Sequence, residues 1–85
     1  MKTRTERAKD RTTKNEWGGE DYRGTAGLAR TSVEDGETTV LYFVLHGKGE
    51  LLSWKATFSS GTPAEVTQAA IDASRRLADG RPENK

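Results

Sequence analysis

His46 is the single histidine of this chain, and it stands where an apolar run gives way to the glycines of "LHGKGE". An imidazole there could act as a general base or hold a metal ion. Either chemistry needs company, and no cysteine, second histidine or activated nucleophile is placed to supply it. His46 therefore reads as a solvated strand end. The same stretch offers G-x-G with Lys48, which suggests a phosphate loop. Such a loop passes directly into a helix, whereas here another strand-like run follows, so a hairpin turn fits better. Glu20 with Asp21, and Glu34, Asp35 and Glu37, are carboxylate clusters without the alternating oxygen ligands of a calcium loop. They read as turn acids. Trp54 and Phe58 alternate along one run and read as core, not as a ligand-stacking pair. Arg75 and Arg76 read as complement to a helix dipole.

The strongest case for a binding function is the set Lys2, Arg4, Arg7, Lys9, Arg11 and Lys14, spaced two or three residues apart. Only Glu6 and Asp10 oppose them, giving this segment a net +4, while the remainder carries eight basic and eleven acidic residues and nets −3. A basic arm on a mildly acidic body can follow a phosphate backbone. The sequence has no cysteine, so disulfides, thiolate catalysis and cysteine-held zinc are excluded. No run approaches the ~18 apolar residues of a membrane span. The polar residues after Met1 lack the apolar core of a secretory signal, and a cytoplasmic location is expected.

Eighty-five residues allow one small domain. Residues 1–17 lack an apolar face and are expected to form a flexible basic arm; "WGGEDYRG" reads as a loop. A single domain over 22–80 and a tail over 81–85 complete the organisation. Thr25 to Val33 is the first expected strand, and Asp35-Gly36 marks a two-residue hairpin that pairs Leu28 with Phe43. Thr38 to His46 is the central strand and Leu51 to Ser59 the third. A turn centred on Lys48-Gly49 pairs Phe43 with Trp54; a slip of one residue would bring Tyr42 beside Trp54 instead. Thr62 as N-cap, Pro63, and Glu65 as capping-box partner open a helix that Gly80 ends. Its stripe of Val66, Ala70, Ala73 and Leu77 should face the sheet, with Ile71 and Ala78 turned away.

In that register the core face holds Ala26, Leu28, Leu41, Phe43, Leu45, Leu52, Trp54, Ala56 and Phe58. The other face, with Val40, Tyr42, Val44 and Lys55, is too apolar to be left in water and has too few cations and aromatics to stack bases. It reads as a protein interface, and a homodimer is expected on it, since a core of ~60 residues is marginal.

Trp54-Lys-Ala56-Thr-Phe58, followed by Thr62-Pro63-Ala-Glu65-Val66 and an Ala-rich helix, resembles an actinobacterial domain family of unknown function, common in streptomycetes. The resemblance spans about Val40 to Asp79. It implies an actinobacterial or actinophage origin and a small sheet-plus-helix fold, and brings no activity and no site residues.

The expectation is an α+β fold, a three-stranded antiparallel meander with a C-terminal helix on one face, and no enzyme, cofactor or metal. The leading function is a dimeric accessory module whose arm contacts nucleic acid. The alternative is a phage or mobile-element module that binds a host protein through the exposed sheet face.

Overall fold

The computed structural model describes residues 11–80. An α+β chain forms one antiparallel sheet of five strands, in spatial order β1-β2-β3-β4-β5, and one helix. The strands are β1 (Thr12–Lys14), β2 (Glu20–Arg23), β3 (Gly27–Glu34), β4 (Glu37–His46) and β5 (Gly49–Phe58), followed by α1 (Ala64–Ala78).

The first hairpin forms as its residues dictate. Glu34 pairs with Glu37, and the intervening Asp35 and Gly36 have φ of 53° and 79°. Both central residues at positive φ make the turn that matches strand twist, which is why Asp-Gly is favoured there. Leu28 faces Phe43 as expected.

Several expectations are corrected. The three-stranded meander is a five-stranded sheet, because β1 and β2 pair in front of β3. Residues 12–17, assigned to the arm, thus belong to β1 and the loop that follows it. The arm residues Lys2, Arg4, Arg7 and Lys9 and the tail 81–85 lie outside the described residues.

The second hairpin turns at Gly47-Lys48, one residue early, with His46 opposite Gly49 and Phe43 opposite Leu52. Beyond it, one extra residue, Ser53, forms a bulge, and Tyr42 pairs with Trp54. A bulge reverses which face the following residues point to. Trp54, Ala56 and Phe58 therefore share a face with Tyr42 and Val40.

That face is the one α1 covers: Trp54, Ala56 and Phe58 lie on the core side as expected, whereas on β3 and β4 the buried face is the opposite of the one expected. Tyr22, Ala29, Tyr42 and Ala78 form the buried cluster, with Trp54 packed against it. Val40 is 0% exposed and Tyr42 6%. They are core, not an open interface. The helix is turned to match: Ser74 and Ala78 are buried, while Val66 and Leu77 of the expected stripe are exposed. Size and hydrogen bonding explain the choice. Two tyrosines stand tall from this face, and only small helix residues fit above them. Their hydroxyls also reach the helix end, where backbone carbonyls lack intrahelical partners. Tyr42 Oη donates to Leu77 O (3.0 Å), Tyr22 Oη to the Asp79 carboxylate (2.9 Å), and Ala26 N to Ala78 O (2.8 Å). A phenylalanine or leucine face offers no such donors.

At the other end of α1 the expected cap is displaced. Pro63 is the N-cap and no side chain caps the helix; the Thr62 hydroxyl instead lies 3.3 Å from Ser59 Oγ. Gly80, at φ 78°, ends the helix as expected. Gly24 sits so close to the last turn that an added Cβ would strike the Ala78 carbonyl. None of the helices described is long and apolar enough to cross a membrane.

Candidate functional site

Because α1 spans one face, the other face of the sheet has no covering element among the described residues. Pairing assigns Asp21, Arg23, Leu28, Arg30, Leu41, Phe43, Leu45, Glu50, Leu52 and Lys55 to it, with the polar Ser32, Glu34, Glu37, Thr39 and Thr57 toward the Asp35-Gly36 end. Leu45 and Leu52 are exposed; Leu41 and Phe43 are half-buried. Leu28 alone is buried there. It lies in the rows crossed by an ion pair from β2 to β5, Arg23 Nη2 to Glu50 Oε2 at 2.9 Å.

The edge of this face is built by the β1–β2 loop. Asn15 organises it: its side-chain oxygen accepts from Trp17 N (2.9 Å) and Gly19 N (3.1 Å), and its amide donates to Asp21 Oδ1 (2.9 Å) and Thr31 O (2.8 Å). Such local side-chain bonds are what asparagine does well in turns. The loop so held brings Trp17 over Arg30, with the guanidinium 4.7 Å from the Trp17 ring centre and 5.4 Å from that of Phe43. Arg30 also grips Asp21 with two parallel bonds, Nε to Oδ1 at 2.9 Å and Nη2 to Oδ2 at 3.0 Å. The flat fork of arginine suits both the carboxylate and the ring faces.

Burial works to raise the Asp21 pKa, but the hydrogen bonds from Arg30 and Asn15 and the charges of Arg30 and Arg23 outweigh it and hold it below the usual carboxylate range. The charged pair therefore adds stability above the unfolded-state value of ~3.9, and loses it as pH falls through the lower folded-state value. Asp21→Asn should cost about 1 kcal/mol at neutral pH, allowing for the partial exposure of both side chains. The cost should shrink toward zero in acid. Urea titrations of both proteins from pH 7 to pH 2.5 measure it; a constant gap would mean the charge is irrelevant.

Elsewhere the sequence-derived candidates separate. Arg11, at the start of the described residues, is committed to Asp79 (2.8 Å). Lys14, on β1, is exposed and lies on the helix side of the sheet. Val44 is on the helix side but beyond the helix, 37% exposed. Lys55 is on the open face beside Leu41. His46 is an exposed strand end. Arg75 reaches Glu20 (3.2 Å) and lies over the Tyr22 ring, so it ties the helix to β2. A cleft of about 490 Å³ opens between the first half of α1 and the β1–β2 loop, lined among others by Lys14, Glu20, Thr31, Thr67 and Ile71. Its polar groups are of mixed kind and converge on no common point. Among the described residues, no group of three or more metal-binding side chains occurs.

Sequence reasoning missed Trp17, Arg30 and Phe43 as neighbours. The signal was thin: an Asn four residues before a glycine, and an arginine at an outward position of a strand. What this arrangement offers is an apolar centre with charges around it, the anatomy of a protein-binding surface. No protein-family model, no curated protein and no solved structure matches the chain, so the open face stands on its own geometry.

Proposed function

We propose that this chain is a small, non-enzymatic interaction module that acts as a homodimer and binds a protein through the open face of its sheet. The observation that carries this reading is the uncovered row of Leu41, Phe43, Leu45 and Leu52, ringed by Arg23, Arg30, Glu50 and Lys55. A partner of matching chemistry would present apolar anchors inside a rim of both charges. Wet sheet faces are normally polar along each strand, whereas Leu41, Phe43 and Leu45 follow one another at the open-face positions of β4.

The basic segment supports a second role, contact with nucleic acid. Lys2, Arg4, Arg7, Lys9 and the exposed Lys14 remain the cations for it, while the Arg11 charge is balanced by Asp79. With about four phosphates neutralised, log K against log salt should slope near −3.6 on duplex DNA.

One experiment separates the two. A photo-crosslinking residue at position 45, on the open face, is compared with one at exposed Gln68 on α1, with and without nuclease, at low and high salt. The protein-binding reading expects a discrete protein adduct at position 45 only, kept after nuclease and in high salt, and lost when Phe43 is changed to Glu. Adducts that vanish with nuclease, or that form equally at both positions, would overturn it in favour of the nucleic-acid role.

A further inference from the structure

β5 is one of the two edge strands of the sheet and, at ten residues, much the longer, and its far side has no strand beside it among the described residues. It also carries the two most exposed leucines, Leu51 at 53% and Leu52 at 51%. We propose that a second copy of this chain pairs with it, β5 against β5, antiparallel about a two-fold axis passing between Leu52 and Ser53. The proposal rests on the dimeric part of the reading above and names its surface.

The bulge is what makes this pairing self-complementary. In a regular strand, residues paired across an axis between two positions would point to opposite faces. Here Ser53 is an extra residue, so Glu50, Leu52 and Lys55 share the open face while Leu51 and Trp54 share the helix face. An axis between Leu52 and Ser53 then sets Glu50 against Lys55 of the second copy, and Leu51 against Trp54, each twice. A lysine and a bulge ordinarily protect a strand edge from pairing. In this register they do the reverse, because each lysine meets a glutamate. Lys55 has no ion-pair partner among the described residues, and Glu50 has only the exposed end of Arg23.

The alternative of stacking two helices face to face is disfavoured by the outer side of α1, which presents Glu65, Gln68, Asp72 and Arg76. Edge pairing leaves those groups in water.

The area is sufficient but modest. Eight paired residues run about 26 Å, and the strip with side chains on both faces is about 20 Å tall. That gives on the order of 500 Å² per copy, or about 1,000 Å² in all, the lower bound for a specific interface. The dimer should therefore dissociate in the micromolar range.

Sedimentation equilibrium from 1 to 200 µM tests it, with folding checked by circular dichroism. The wild type should shift from the 9.3 kDa chain mass toward twice that value. Lys55→Glu should weaken the dimer about 10-fold by setting Glu against Glu at both ends. The reversed pair Glu50→Lys with Lys55→Glu should restore it to within about 3-fold. Leu51→Glu should leave monomer. A wild type that stays monomeric at 200 µM overturns the proposal, as does a dimer indifferent to Lys55→Glu or one the reversed pair fails to restore. Loss of the dimer in Leu45→Glu but not in Lys55→Glu would place self-association on the open face, overturning this surface and removing that face from the protein partner. The photo-crosslink at position 45 reads the partner separately, so either reading can fail while the other stands.

Discussion

Tyr42→Ala should destabilise the protein by about 3–5 kcal/mol at 25 °C. The ring is 6% exposed, stacks on Trp54 with centroids 5.9 Å apart, and hydrogen-bonds the Leu77 carbonyl. Removing a buried aromatic costs about 3–5 kcal/mol. A folded unit of this size is stable by roughly 4–10 kcal/mol in total, so the loss takes about a third of it or more. Tyr42→Phe keeps the ring and removes one of the two hydrogen bonds to the Leu77 carbonyl, which still accepts from Gly80 N, and should cost about 1 kcal/mol or less. Tyr42→Glu, which on an open face would merely split a dimer, should here unfold the chain, since the carboxylate would be trapped under α1. Urea unfolding followed by far-UV circular dichroism measures all three. A loss below about 1 kcal/mol for Tyr42→Ala would show that the helix does not rest on this face.

A comparably large loss is expected from removing the first strand and its loop. A chain starting at Glu20 should be at least 3 kcal/mol less stable than one starting at Arg11. It forfeits the pairing of β1, the four side-chain bonds of Asn15, the Arg11–Asp79 pair and the Trp17 ring over Arg30. Each polar contact contributes about 1 kcal/mol or less, the ring contact about 0.5–1. The sum survives even if half of them are replaced by water. At about 4–8 °C per kcal/mol for a domain of this size, the thermal midpoint should fall by at least about 12 °C. A drop of only a few degrees would mean that β1 is an ornament of the edge and that residues up to Gly19 behave as the arm their composition suggests.

Those two results bear on what was legible in the residues. At the first hairpin and the end of α1 a few consecutive residues determined the outcome alone, although the Thr62 cap and the Lys48-Gly49 turn, equally local signals, gave way to others. Asp35-Gly36 dictates its hairpin and thereby the Leu28–Phe43 register, because positive φ at both positions is a local property. Gly80 likewise ends α1, and the dense β-branched and aromatic run before His46 is a strand in any context. That β1 and β2 are strands at all could be decided only by the tertiary structure. "EDYR" has two acids beside glycines and no β preference; it is held straight by Asp21 on Arg30 and Tyr22 under the helix, partners 9 and 57 residues away. The choice of face was also tertiary. Both faces are apolar enough to be buried, so alternation fixes two sets of residues without ranking them. The bulge at Ser53 and the fit of Tyr22 and Tyr42 beneath Ser74 and Ala78 broke the tie. Hydrophobic pattern measures how much surface should leave water; which surface leaves is settled by shape and by the carbonyls at a helix end that need donors.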